Sequence, residues 1–243
     1  MRCFIHPSDW LNDELLLDPE ESHHLLHVLR AETGSRVELF NGRGGTAAAE
    51  VVCTQGKNAA LRILERRNSP PDPVRLVLAP ALLREQKMDW VIQKATELGA
   101  FAIQPLITEH AVARVKPGRD QDKISRWNKI ALNSAKQCGT AWLPEIRPVL
   151  TPQDALKTLQ GQGSLLVGAL TPDATPVRDA LRAAAANTPS QIAVFIGPEG
   201  DFSPAELRMI LSAGATPVSF GRQVLRAETA ALFALSVMRY ELS

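Results

Sequence analysis

Glu199, Arg226 and Glu228 are the residues of this chain best placed to do chemistry. Each lies in or beside a glycine-containing stretch, Gly197-Pro198-Glu199-Gly200 in one case and Gly221 to Glu228 in the other. Carboxylates and a guanidinium are costly to place near a buried sheet edge unless they pair or bind something. In a pocket they could accept a proton or stabilise developing charge. The glycines add a second capability. Without a Cβ, backbone N–H and C=O groups can approach a ligand closely. Such loops can read an adenine through main-chain hydrogen bonds. The run GPEGD has acids and no lysine, so phosphate would be repelled, which argues against a nucleotide hydrolase.

Both stretches share one grammar. Ile192 to Ile196 and Val218 to Phe220 read as strands, each followed by a glycine loop and a helix. Ser203 reads as an N-cap, with Pro204 at the first helical position and Glu206 completing a capping box. Glu228 opens an Ala/Leu-rich helix. Two such units so close together suggest neighbouring strands of a parallel sheet. Their loops would then share the carboxyl edge, where open α/β sheets bind ligands.

Upstream, the chain changes character once. Residues 1–68 read as a small β-rich unit: Val37 to Phe40, a turn at Asn41-Gly42, Thr46 to Thr54 returning, and Asn58 to Glu65. Glycines 42, 44 and 45 precede a strand rather than a helix, so they do not form a dinucleotide-binding loop. Glu20 to Arg30 reads as a helix; its His23 and His27 are four apart, but no third metal ligand accompanies them. The prolines in 69–73 mark a linker. From Val74 to residue 243 strands and helices alternate: VRLVLAP, a helix over Arg84 to Leu98 stopped by Gly99, a strand from Phe101 to Leu106, a long helix from Asp120 to Gly139, a strand from Ser164 to Ala169, and a helix near Val177 to Ala186. That alternation predicts an α/β fold with a mostly parallel sheet and helices on both faces.

The 243 residues carry a net charge of only +1, which neither demands nor excludes nucleic acid. Cys3, Cys53 and Cys138 form no paired motif and suit a reducing, cytoplasmic setting. No secretory leader or membrane span is expected. Basic residues are segregated: Arg114, Lys116, Arg119, Lys123, Arg126, Lys129, Lys136 and Arg147 outnumber nearby acids, and Arg84, Lys87 and Lys94 add to them. A charge run is usually a solvated helix face; the functional reading is a surface that tracks phosphates. Walker, HExxH and GxSxG motifs are absent.

GPEGDFSPAE and GRQVLRAETAALFAL resemble the two closing motifs of the bacterial 16S ribosomal RNA (uracil-N3) methyltransferases, the RsmE family of the SPOUT class. HHLLHVLRAETGSRVELFNGRGG is similar to that family's amino-terminal PUA-like barrel. KMDWVIQKATELGA, IQPLITEHA and WNKIALNSAKQCGTAWLPEI resemble the body of its catalytic domain. The resemblance implies a PUA-like RNA-binding β-barrel over 1–68 and a SPOUT α/β domain over 74–243 with a deep carboxyl-terminal trefoil knot. It also implies a homodimer, S-adenosylmethionine as cofactor with no metal, and the small ribosomal subunit's RNA as partner. Carried over by position, Gly197, Pro198, Glu199 and Gly200 form one cofactor loop. Ser219, Gly221, Val224 and Leu225 form a second, and Ala169 with Leu170 a third. Arg226, Glu228 and Thr229 match the family's Leu-Arg-x-Glu-Thr, with Arg226 acting electrostatically and Glu199 or Glu228 accepting a proton or pairing with Arg226. Arg2, Arg30, Arg84, Lys87, Lys94, Lys123 and Arg126 are the candidate RNA contacts. Asp201, Arg222-Gln223, His110 and Thr140 depart from the family pattern. A non-catalytic RNA-binding or assembly factor with the same fold is the alternative.

Overall fold

The computed structural model describes residues 1–55, 58–111 and 120–242. By contact the chain divides into two compact units, Met1–Pro71 with Ala135–Leu143, and Asp72–Ser134 with Pro144–Ser243.

The first unit is a five-stranded sheet. Its strands are β1 (Arg2–Phe4), β2 (Glu14–Leu16), β3 (Arg36–Phe40), β4 (Gly45–Gln55) and β5 (Asn58–Asn68), in the order β1-β3-β4-β5-β2. Alternation buries Val37, Leu39, Ala47, Ala49, Val51 and Leu61 against Leu15, Leu17 and Leu25. The turn from β3 to β4 is held by the Asn41 side chain, whose Oδ1 accepts from Arg43 N at 2.8 Å and Gly45 N at 2.9 Å. Gly44, at φ 87°, is needed for space as well as conformation: a Cβ there would lie 2.5 Å from the Trp142 ring.

Two expectations change in this unit. The helix over Glu20 to Arg30 is shorter: α1 spans Pro19–His23, capped by Asp18, and continues as one π turn over His24–Val28. Arg30 lies beyond it, exposed, with φ 54°. Arg2 is not free to meet RNA. Its guanidinium donates to Ala135 O at 2.7 Å and Thr140 O at 2.9 Å, lies 3.3 Å from Glu38 and stacks over Phe40; the side chain is 9% exposed. Burial lowers its pKa from the usual arginine value. It closes off carbonyls at the end of the long helix described next. Burial also pushes the Cys3 thiol up to about 12, so it stays protonated and inert.

The second unit carries β6 (Arg75–Pro80), α2 (Glu85–Glu97), β7 (Ala102–Ile103), α3 (Asp120–Cys138), β8 (Glu145–Ile146), α4 (Pro152–Leu159), β9 (Ser164–Gly168), β10 (Thr175–Pro176), α5 (Val177–Ala185), β11 (Gln191–Ile196), α6 (Pro204–Ser212), β12 (Thr216–Ser219) and α7 (Ala227–Glu241). The last residues of α3, from Ala135, count with the first unit. The seven strands run in the order β10-β12-β9-β11-β6-β7-β8, and every pairing is parallel. One face packs Leu78, Val91, Ile92, Leu181, Val194 and Leu235; the other packs Val77, Phe195, Leu156, Leu159 and Ile210. Helices therefore cover both faces, as the alternation predicted. Each such fully buried side chain contributes about 1.5–3 kcal/mol over its exposed state.

The strands that carry the two glycine loops are not neighbours. β9 lies between β11 and β12, pairing with each. Sequence order cannot show this, because a parallel strand can return to any open position in the sheet. The consequence is useful: three loops, not two, meet at one carboxyl edge. The expected strand Phe101 to Leu106 is also reduced to Ala102–Ile103, although Gln104 N and Leu106 N still donate to Leu78 O and Pro80 O of β6. Among the described residues no helix is long and apolar enough to cross a membrane.

Candidate functional site

The loops after β9, β11 and β12 enclose a cavity of about 270 Å³. Each is set by local chemistry. The first begins where Ala169 N donates to Val218 O at 3.1 Å, tying the end of β9 to β12. The second is a turn in which Asp201 N donates to Pro198 O at 2.9 Å. It feeds α6 through the capping box: Glu206 N bonds Ser203 Oγ at 3.3 Å and Ser203 N bonds Glu206 Oε2 at 2.9 Å. In the third, Ser219 Oγ and the Gly221 backbone bond each other at 3.3 Å, and Arg226 caps the start of α7.

Every residue expected in the cofactor loops lines this cavity except Gly200, which faces His110 instead. Ala169 and Leu170 come from the first loop, Gly197, Pro198 and Glu199 from the second, Ser219, Gly221, Val224 and Leu225 from the third. The lining also includes residues outside the expected cofactor contacts, among them Phe220, Gln223, Ala227 and Ala230. The alanines lie on one face of α7, spaced three apart, which was a readable signal. Phe220 ends the apolar run of its strand and gave none. Leu170 and Val224 are 67% and 74% exposed although they line the cavity, so the site offers uncovered apolar surface beside its polar groups.

The charged residues arrange themselves differently from expectation. Arg226 lines the cavity, is exposed, and makes no ion pair among the described residues. Glu199 and Glu228 do not pair with it. Both converge on Lys87 of α2, whose Nζ lies 2.8 Å from Glu199 and 3.2 Å from Glu228. Lys87, read from sequence as an RNA contact, therefore fastens the second loop and the first turn of α7 to α2. Glu228 does not line the cavity, and its side chain is 14% exposed. The hydrogen bond from Lys87 holds the Glu199 carboxyl below the usual carboxylate range, and the two carboxylates raise the Lys87 pKa. A carboxylate so held is a weak proton acceptor at neutral pH.

This clamp has a pH signature. Glu199 is depressed, so its contribution is present above about pH 4.3 and lost as pH falls through the lower folded value. Lys87 is raised, so its contribution is full below about pH 10.4 and lost as pH rises through the higher folded value. Lys87→Met should therefore lower the melting temperature by a near-constant amount across that window. The deficit should shrink in acid as Glu199 protonates. A deficit that persists undiminished at pH 3 would mean that Lys87 acts by packing alone.

The remaining candidate RNA contacts divide. Arg126 faces Glu85 and Asp89, and Lys94 lies 2.8 Å from Glu97, so a phosphate would have to compete for both. Arg84, exposed at the start of α2, and Lys123, half-buried on α3, have no ion-pair partner among the described residues. Arg114, Lys116 and Arg119 lie outside the described residues. His23 and His27 lie against each other with ring centroids 4.9 Å apart and planes tilted by 38°. Among the described residues no group of three or more His, Cys, Asp or Glu converges to hold a metal.

The family model described as "RNA methyltransferase domain" matches residues 70–239, and that described as "RNA methyltransferase PUA domain" matches residues 17–64. The chain is 32% identical to the "Ribosomal RNA small subunit methyltransferase E" of Synechocystis sp. over 97% of its own length and 76% of the relative's. It is 28% identical to the Bacillus subtilis protein of the same name, over 91% and 88%. Among solved structures, a ribosomal RNA small subunit methyltransferase E from Neisseria gonorrhoeae, bound to S-adenosyl methionine, superposes with a TM-score of 0.87. That match has 26% identity and covers 98% of this chain and 96% of the other.

Proposed function

The chain belongs to the RNA methyltransferase family, and we propose that it transfers a methyl group from S-adenosylmethionine to N3 of a uridine in the 16S RNA of the small ribosomal subunit. The observation that carries this reading is the convergence of three glycine-containing or apolar loops on one cavity at the carboxyl edge of a parallel sheet. The residues present fit the cofactor. Ile196, Phe220, Leu225, Ala227 and Ala230 make an apolar slot, and Leu170 and Val224 offer the surface that a purine would cover. The lining sets two carboxylates, Glu199 and Asp201, against one guanidinium, Arg226, a balance that suits a sulfonium better than a phosphate.

When bound, S-adenosylmethionine supplies an electrophilic methyl group. The chain's part is to hold the target nitrogen in line with it. Uridine N3 carries an imide proton that must leave, in this reading to solvent water, and negative charge grows on the uracil oxygens as it does. Arg226, unpaired among the described residues and at the cavity, is placed to stabilise that charge. Glu199 and Glu228, fastened to Lys87, hold the loop and the helix start rather than move the proton. An N3 atom faces its pairing partner, so the base enters unpaired or flipped.

Residues 1–68 serve in this reading as the RNA-binding barrel, joined by 69–73 to a SPOUT domain over 74–243 whose carboxyl end is knotted around the cofactor loops. Arg30, Arg84 and Lys123 position the RNA through its phosphates. The chain works in the cytoplasm as a homodimer. In support of the dimer, Trp90, Phe233 and Tyr240 leave 43%, 40% and 82% of their surface exposed, as residues that meet a second copy would.

The test is to incubate small subunits or 16S RNA from a strain lacking this chain with the purified protein and S-adenosylmethionine, then map modified nucleotides by mass. One new methyl group on N3 of a single uridine is expected. Cofactor binding without any transfer would favour a non-catalytic assembly factor, and methylation of another atom would move the assignment.

A further inference from the structure

Asp201 stands in a conformation that its side chain does not favour. Its φ is 61°, in the left-handed region where glycine is at ease and a side chain carries a cost, smaller for aspartate than for most. It also lines the cavity. Something must hold it there. Its own carboxylate accepts from Phe202 N at 2.7 Å, which closes the turn from one side. From outside the cavity, His110 Nδ1 lies 3.1 Å from both Gly200 O and Asp201 O. Both partners are acceptors, so Nδ1 carries the proton and donates to the two carbonyls as a three-centre bond.

The rest of the contact fits this role. A Cβ on Gly200 would lie 3.3 Å from His110 Cβ, so the histidine rests directly on the loop. The backbone beside it is anchored: Glu109 N donates at 2.9 Å to Glu206 Oε1, while the other oxygen of that carboxylate serves the α6 capping box. His110 itself does not line the cavity. It can affect a ligand only through the loop.

We propose that His110 is a positioning residue that locks the left-handed turn at Asp201 into the shape the cofactor needs. The proposal rests on the cavity being an S-adenosylmethionine site. Because the strain belongs to a side chain at position 201, it makes a specific prediction. Glycine at 201 adopts the same φ without help, so in an Asp201→Gly background His110 has little left to do.

The experiment is a double-mutant cycle on the full-length protein, read by calorimetry with S-adenosylmethionine and by methyl transfer at saturating cofactor. His110→Ala should weaken cofactor binding about tenfold and leave kcat nearly unchanged. His110→Asn, whose amide N–H sits where Nδ1–H does, should restore most of the loss. Whatever Asp201→Gly does alone, adding His110→Ala to it should weaken binding by no more than about twofold. Equal losses in both backgrounds, a fall in kcat at unchanged affinity, or wild-type binding by His110→Ala would each overturn the proposal. If the wild-type chain binds no S-adenosylmethionine, the site assignment itself falls, which separates the two failures.

Discussion

Arg226→Ala should lower the single-turnover methylation rate about 100- to 1,000-fold, while the dissociation constant for S-adenosylmethionine changes by less than about threefold. The size comes from the one job the geometry leaves to this side chain. Arg226 caps α7 without a side-chain capping bond, so its guanidinium is available for something else. Its backbone is fixed, with Ala230 N donating to Arg226 O at 2.8 Å. The carboxylates that could have neutralised it are held by Lys87. A guanidinium remains charged throughout the working pH range, so it can stabilise a uracil oxyanion without exchanging a proton. The interaction exists mainly in the transition state, and its loss should appear in rate rather than in affinity. Arg226→Lys should recover part of the rate, since it keeps the charge and loses the planar fork. An unchanged chemical rate in Arg226→Ala would remove the residue from the reaction.

Gly221→Ala should weaken S-adenosylmethionine binding about 5- to 150-fold, from a backbone strain of about 1–3 kcal/mol. Gly221 sits at φ 117°, well outside what a residue with a Cβ adopts easily, and an added Cβ would meet nothing within 4 Å. The effect is therefore conformational and not a clash. The third loop is exposed and can relax when empty, so the strain is felt when the ligand requires its shape again. Gly214→Ala is the control. That glycine has φ 93° and equally open surroundings, but it lies in the turn between α6 and β12 and does not line the cavity. It should lose stability with little change in cofactor affinity. Equal affinity losses in the two variants, measured by calorimetry, would show that the third loop's shape is not specific to binding.

Local chemistry accounts for what could be read from the sequence. Ser203-Pro204 with Glu206 announced α6, Asn41-Gly42 announced the β3–β4 turn, and the apolar spacing of Met88, Val91, Ile92 and Ala95 announced α2. The same kind of signal is present at α4, where Thr151 accepts from Asp154 N and Pro152 opens the helix. The glycine loops gave the cavity, because a loop that ends a parallel strand has only one edge to occupy. What stayed hidden depended on distance along the chain. The insertion of β9 between β11 and β12 is a choice among sheet positions that no local pattern encodes. Lys87 meets Glu199 across 112 residues, so a lysine that reads as one of a solvated basic run is in fact the centre of the site's ion pairs. Arg2 is held by partners that local pattern cannot show for the same reason: Ala135 and Thr140 are more than 130 residues away.

The most direct test is a crystal structure of the chain grown with S-adenosylmethionine. The adenosyl group should lie between Gly197–Asp201 and Ser219–Leu225, with Ala169 and Leu170 against it and its methyl group facing Arg226. Density for the cofactor elsewhere on the molecule, or an empty cavity at millimolar cofactor, would contradict the account.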